Sequence, residues 1–524
     1  MTIKEKIKEI VLNNTNLTED EYFDEKESYI KGLDTLTNAI LSIPKTEIIS
    51  IVGDYDCDGV TSTAILANVL KRAGWNVEYY IPKRFSDGYG INTLILNRLS
   101  GNYIITIDNG IAAIDAVKEA KKRGKTVYIL DHHQGVRDDG ILQLPEADII
   151  VDPNAEIKEE SEFKDFCAAG LALRLSQKMF PAMDFTAEKV LAGIGTVADV
   201  VSITKDNRNI VKEALEIIKS GNASDSINTL IKMHNIKNID TDTFGYTFGP
   251  MFNAPGRLMD NGGQAVVDFL LADNKEDIMR GAMLLGTQNE IRKKESRTGY
   301  KFISNNLDKE DKPYVYFHPG LKEGIIGIIA GELCEKNMCP VIIFTSSEED
   351  GFIKGSGRSV QGINIKAVLD EINKVVKIEK YGGHAGACGL SLSEEKLNDF
   401  TKMFKDLVSK EKTSIKEDSS YDLLCPSNPE EINELYEAIQ AYAPYGEGNP
   451  EPTVLYNGEY TEHKMIGKDK TTVSIKTPVI DMIGFGFEDC EDAFMFDKIL
   501  ATGNIKKEIF NGSEKYKLFL KNIE

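Results

Sequence analysis

Five short apolar, β-branched runs recur through the first 151 residues, at 47–53 (EIISIVG), 77–81, 103–107, 127–130 and 149–151. Helical stretches lie between most of them, the clearest at 60–74, closed by glycine. Strand–helix alternation of this kind predicts a parallel, doubly wound α/β sheet. The carboxyl ends of its strands then share one edge, where open α/β folds bind their ligands.

That edge is acidic. The first run leads into Asp54-Tyr55-Asp56-Cys57-Asp58-Gly59, and in extended chain the three alternate carboxylates share one side. Their mutual repulsion is costly unless a cation lies between them. A calcium-binding EF-hand is excluded, because a strand precedes the loop and its twelfth position is Ile65, where a bidentate Glu is required. One Asp-rich turn is ordinarily a solvated loop, but here the pattern recurs. The run 103–107 ends in Asp108-Asn109-Gly110, the run 127–130 ends in Asp131-His132-His133, and a helical segment adds Asp199 after Gly195-Thr196-Val197-Ala198. Two of only six histidines directly follow a strand-end Asp. Carboxylates with imidazole suit hard divalent ions, manganese favoured and magnesium the alternative. The seven cysteines contain no C-x-x-C pair, so neither a disulfide framework nor a zinc ribbon is expected.

Downstream, helical patterns dominate 167–233, and the Gly-rich stretch GPMFNAPGRLMD (249–260) is expected to interrupt them. A long charged helix over 272–302 is better suited to bridging domains than to filling a core. A second α/β unit begins at 313 and closes with Gly382-Gly383-His384, and a third, after PYGEGNPEP (444–452), has the short strands of a small β-barrel. The expected division is a first domain over 1–270 that includes a helical lead-in, a connecting helix over 271–308, a second domain over 309–412, and a linker with the barrel over 413–524. The net charge of −21 is awkward for a nucleic-acid enzyme, so contacts with phosphate must be local. No apolar run approaches the roughly 20 residues of a membrane helix, the N-terminus mixes both charge signs, and a cytoplasmic, monomeric protein with reduced thiols is expected.

DYDCDG, TIDNG, the literal DHH at 131–133 and GTVAD, in that order, resemble the four motifs of the DHH phosphoesterase superfamily. The resemblance implies one metal on Asp54, Asp56 and Asp108, and a second on Asp58, Asp108, His132 and Asp199, with Asp108 bridging. It also implies that His133 orients or contacts phosphate and that Asp131 fixes a ring tautomer. Gly382 and Gly383 lie in a segment similar to the G-G-H-x-x-A-x-G signature of the DHH-associated domain, where glycine lets backbone N–H groups approach a phosphate.

Further segments resemble the RecJ family: PKRFSDGYG, FNAPGRL, HPGLKEGIIGIIA and APYGEGNPEP before a terminal barrel. By that resemblance the fold has a DHH domain, a DHH-associated domain and an oligonucleotide-binding (OB) barrel. Arg84, Arg257, Ser356 and Arg358 would bind a 5′-terminal phosphate, and His384 would lie beside the scissile group. The implied reaction is a two-metal hydrolysis of single-stranded DNA from its 5′ end, in repair and recombination, with a single-strand-binding protein or helicase as partner. In the barrel, Lys464, Lys468 and Lys470 could follow a strand's backbone, while Tyr456 and Phe485 are expected in its core. An oligoribonuclease or cyclic-dinucleotide phosphodiesterase of the same superfamily is one alternative, opposed by the barrel and the arginine set. A catalytically silent replication scaffold is the other, opposed by the intact ligand set. Three departures from the family pattern, Asn109 where Cys is common, Cys57 where Ala or Val is usual, and His318 without the Trp that often precedes it, remove no ligand.

Overall fold

The structure is a computed structural model that describes residues 1–524 apart from 139, 157, 348, 412–420, 468–469, 488–489, 496 and 511–512. Strands β1 (Ile48–Val52), β2 (Asn76–Tyr80), β3 (Tyr103–Ile107), β4 (Thr126–Leu130) and β5 (Ile149–Val151) form its first sheet. Every pairing is parallel and the spatial order is β2-β1-β3-β4-β5, which turns direction between β1 and β3. Ile49, Ile51, Ile105 and Ile107 join the core that contains the helix Cys57–Arg72, whereas Val52, Ile104, Val127 and Ile129 join a core on the opposite face. Successive side chains point to opposite faces, so a strand covered on both sides reads as a nearly continuous apolar run. The register sets Val52 opposite Tyr80 and Thr106, and Ile107 opposite Leu130. The chain therefore leaves β1, β3 and β4 side by side.

The stretch 249–260 differs from expectation. It is helical over Gly249–Leu258 and continues directly from a π-helical turn, Phe244–Phe248. Pro250 and Pro255 both lie within this continuous helical run, and burial of Phe248, Met251 and Phe252 overrides weak helix propensity. Gly256 serves a close approach here, because a Cβ there would lie 2.7 Å from the carbonyl oxygen of Tyr55.

The helix Lys275–Asn306 runs for 32 residues, about 48 Å at 1.5 Å per residue. Its Ile278, Ala282 and Leu285 enter the first core and its Ile303 enters a cluster of the second domain. That domain has a mixed sheet of β6 (Tyr314–Phe317), β7 (Val341–Ser346), β8 (Phe352–Arg358), β9 (Lys380–His384) and β10 (Ala387–Ser393), ordered β9-β10-β8-β7-β6. Only β6 and β7 pair in parallel. A seven-stranded sheet over Leu423–Ile523 forms the C-terminal unit. The helix Ile3–Thr15 buries Ile7 and Val11 in this last core, together with Tyr22, so the two ends of the chain share one core. Among the described residues no helix is long and apolar enough to cross a membrane, and no disulfide joins the cysteines.

Candidate metal centre and anion pocket

Asp54, Asp56 and Asp58 follow β1, with Asp56 capping the helix Cys57–Arg72 by accepting from Gly59 N at 3.0 Å. Asp58 lies within the first turn of that helix and is buried. Its two carboxylate oxygens accept from Ala168 N at 2.6 Å and Ala169 N at 2.8 Å, the free N–H groups that open the helix Ala168–Met179. Asp108 follows β3 at φ +62°, a left-handed backbone that Asp tolerates better than most residues. Tyr89 donates from its hydroxyl to the Asp108 carbonyl at 3.1 Å.

After β4, Asp131 is buried and accepts from Ile111 N at 3.0 Å, from His132 N at 2.8 Å, and stands 2.8 Å from His133 Nδ1. Asp131 thus orients His133. His132 Nε2 instead faces Asp108 Oδ1 at 3.1 Å, Asp58 Oδ2 at 3.6 Å and Asp199 Oδ2 at 3.7 Å. Asp199 caps the C-terminus of the helix Thr186–Ala198.

Three groups of donor atoms lie mutually within 4.8 Å: Asp54, Asp56 and Asp108; Asp58, His132 and Asp199; and Asp108, His132 and His133. Asp108 belongs to two of them and closely approaches the third through His132. Burial, then Asp56, holds the Asp54 carboxyl well above the usual range. Burial, then Asp58, Asp56 and Asp54, does the same to Asp108, and burial, then Asp58 and Asp56, to Asp199. Burial also raises Asp58, against the pull of His132. Asp131 behaves oppositely, since its bond to His133 and the charges of both histidines outweigh burial and keep it low. His133 is lifted to about 9, burial opposing and Asp131 prevailing.

These groups fit divalent cations. Asp54 Oδ1 is buried with no hydrogen-bond partner among the described residues. The donors are mostly carboxylate oxygens, and like charges brought this close are stable only as protonated acids or around positive charge.

Beside this cluster a cavity of about 370 Å³ lies between the first two domains. Arg84, Arg257, Ser356, Arg358 and Gly382 line it, with Lys354 and Lys380. Arg257 is held down to about 10 by burial, then by Arg84 and Arg358, and Arg358 is lowered mainly by burial. The Arg257 side chain has a hydrogen bond to the Gly324 carbonyl at 3.3 Å, and Arg358 Nη1 donates to the Gly357 carbonyl at 2.9 Å. Neither guanidinium has a carboxylate partner within ion-pair distance among the described residues. Three arginines and two lysines converge here against one lining carboxylate, Glu323, and that excess of positive charge makes an anion site. Arg84 lies 4.9 Å over the ring of Tyr55, the residue between Asp54 and Asp56, so pocket and carboxylates adjoin.

Gly383 and His384 are not among the lining residues. His384 is exposed at the end of β9, where its Nδ1 accepts from Gly386 N at 3.2 Å. In the C-terminal sheet Lys464 pairs with Glu462, Lys468 lies outside the described residues, Tyr456 is buried as expected, and Phe485 is 63% exposed rather than in the core. Sequence reasoning noted Asn109 only as a departure. Its Nδ2 donates to the carbonyls of Val52, Gly53 and Ile107 at 2.9–3.0 Å and its Oδ1 accepts from Ile91 N, which locks β1 to β3 beneath the site. It also missed the helix N-terminus under Asp58. The small residues Ala168-Ala169-Gly170 at a helix start are the only local trace of that contact.

Three family models match the chain: the DHH family N-terminal domain over 48–197, the DHHA1 domain over 311–410 and the RecJ OB domain over 425–522. The chain is 30% identical over 498 residues to the single-stranded-DNA-specific exonuclease RecJ of Escherichia coli (strain K12), across 87% of this chain and 83% of that protein. It is 28% identical over 515 residues to the protein of the same name from Bacillus subtilis (strain 168), across 94% and 63%. Its fold superposes on RecJ from Thermus thermophilus in complex with Mn2+ at a TM-score of 0.84 and 22% identity, covering 99% of this chain and 76% of that one. The Mg2+ complex of that protein gives 0.78 at 21% identity, covering 99% and 74%.

Proposed function

The chain belongs to the RecJ family of single-stranded-DNA-specific exonucleases, and on that premise we propose that it hydrolyses single-stranded DNA stepwise from the 5′ end, releasing 5′-mononucleotides with two divalent cations, manganese before magnesium. The observation that carries the reading is the adjacency of an anion pocket to the carboxylate cluster, with Tyr55 between them. A pocket that takes a terminal phosphate beside a hydrolytic centre admits a chain end and sets where the first cut falls. That is exonuclease geometry.

Asp54, Asp56 and Asp108 would hold one cation, and Asp58, Asp108, His132 and Asp199 the other. Bound there, the cations supply an activated water and offset charge on the phosphoryl oxygens. The chain's own residues do the rest. Arg84, Arg257, Arg358 and Ser356 grip the terminal phosphate, and Gly382 lets backbone approach it. Asp131 keeps His133 oriented, and the half-exposed His133 ring can donate to a phosphate oxygen. His384 is assigned a place near the scissile group by family resemblance alone. The domain division at about 270, 308 and 412, a monomeric state, a cytoplasmic location and partnership with a single-strand-binding protein or helicase belong to the same proposal.

Digestion of 5′- and 3′-labelled single strands and duplex with manganese or magnesium tests it. Immediate release of the 5′ label as mononucleotide, from single strand only, is expected; internal cuts or first loss of the 3′ label overturn it.

A further inference from the structure

The loop after Asp199 is strained. Val200 has φ +60°, and a β-branched residue persists in the left-handed region only where its surroundings over-determine it. Two restraints come from the catalytic domain itself: Ser202 N donates to Asp165 Oδ2 at 2.9 Å, and Asn207 Nδ2 donates to the Ser202 carbonyl at 2.9 Å. A third comes from the C-terminal unit. Ile203 N donates to the carbonyl of Glu447 at 2.7 Å, and Glu447 stands in the turn 444–452.

The turn is seated tightly. A Cβ at Gly446 would lie 2.7 Å from Ile203 Cγ1, and one at Gly448, φ +65°, only 2.5 Å from Ser202 Oγ. It is also anchored from behind. Arg208, 3% exposed, donates from Nη2 to the Ala443 carbonyl at 3.0 Å and lies 4.5 Å over the ring of Tyr22. Asn449 Nδ2 donates to the Tyr22 hydroxyl and the Pro444 carbonyl, both at 2.9 Å.

We infer that the turn 444–452 is a positioning element of the metal centre: by docking Glu447 and Gly448 on residues 202–203 it holds the strained loop so that Asp199 faces His132 and Asp58. The inference rests on the reading of Asp199 as a metal ligand. Without the Glu447 contact, Val200 can relax to an extended backbone and swing the Asp199 carboxylate away. The C-terminal unit then affects metal affinity as well as any grip on DNA, and metal binding in turn tightens its docking, since such coupling is reciprocal.

The test uses the full chain and manganese alone, titrated calorimetrically, with single-strand binding measured separately in chelator. Gly448→Ala crowds Ser202 and strains the turn, while Arg208→Ala removes the anchor without touching the loop. Asp199→Ala is the reference. Each of the first two variants is expected to weaken manganese binding about tenfold or more, the range seen when groups that orient metal ligands are lost, with single-strand binding in chelator unchanged. Manganese affinity unchanged in both, with Asp199→Ala weakened, overturns the inference and leaves Asp199 a ligand. Unchanged affinity in Asp199→Ala itself overturns the ligand reading beneath it. Circular dichroism identifies a misfolded variant, and the other then decides.

Discussion

Arg257→Met should separate recognition of a chain end from the rest of the reaction. The Arg257 guanidinium is buried among Arg84 and Arg358 and held down to about 10, against an ordinary 12.5, which amounts to on the order of 3 kcal/mol against its charged form. Its long bond to Gly324 returns about 1 kcal/mol. Removing the charge therefore stabilises the DNA-free protein by on the order of 2 kcal/mol, and the variant should melt a few degrees higher. The substrate loses a charge-assisted hydrogen bond worth about 1.5–3 kcal/mol. With 5′-phosphorylated strands kcat/KM should fall about 10- to 150-fold, while strands with a 5′-hydroxyl, which never engage the guanidinium, change little. The assay is nucleotide release from the two strands in parallel, beside thermal unfolding of each protein. An equal loss on both strands, or a lower melting temperature, would refute the assignment of the pocket.

Asp108→Asn keeps a residue that tolerates φ +62° but removes a donor from two of the three groups; manganese-dependent nucleotide release should vanish while the circular dichroism spectrum stays, and retained release would take Asp108 out of the centre. In the metal-free protein Asp54, Asp108 and Asp199 are held above their ordinary range, so the stability they contribute is complete at low pH and is lost as pH rises through their folded-state values. The gap in melting temperature between manganese-loaded and stripped protein should accordingly widen from about pH 5 to about pH 8, and a constant gap would contradict the mutual repulsion inferred for the cluster. Asn109→Ala leaves three buried carbonyls and the Ile91 N–H without their partner, a cost of roughly 3 kcal/mol; thermal unfolding should show a loss of several degrees, and an unchanged midpoint would mean that Asn109 does not lock β1 to β3.

The carboxylate cluster was legible because its causes are local. Strand, acidic turn and helix follow one another within a dozen residues at 48–59, and the parallel pairing that puts the strands' carboxyl ends on one edge follows from the strand–helix alternation. The helix Gly249–Leu258 was not legible, since two prolines and two glycines signal a break unless the neighbouring aromatics are known to be buried. Phe485 misled for the same reason in reverse, because alternation along a strand does not say which face is covered.

From the sequence alone came the order of the elements, the strand ends that carry Asp54, Asp108 and Asp131, and the donor chemistry that suits a hard cation, all set by periodicity and by residues within one turn or one loop. Tertiary structure alone decided that Arg84, Arg257 and Arg358 line one cavity with Glu323 as its one carboxylate, that Ile7 and Val11 share a core with the last strands, and that the turn at Glu447 clamps the loop after Asp199. Those contacts join segments dozens to hundreds of residues apart. Their energy comes from packing and desolvation between surfaces that meet only once the domains have docked, and no spacing along the chain encodes it.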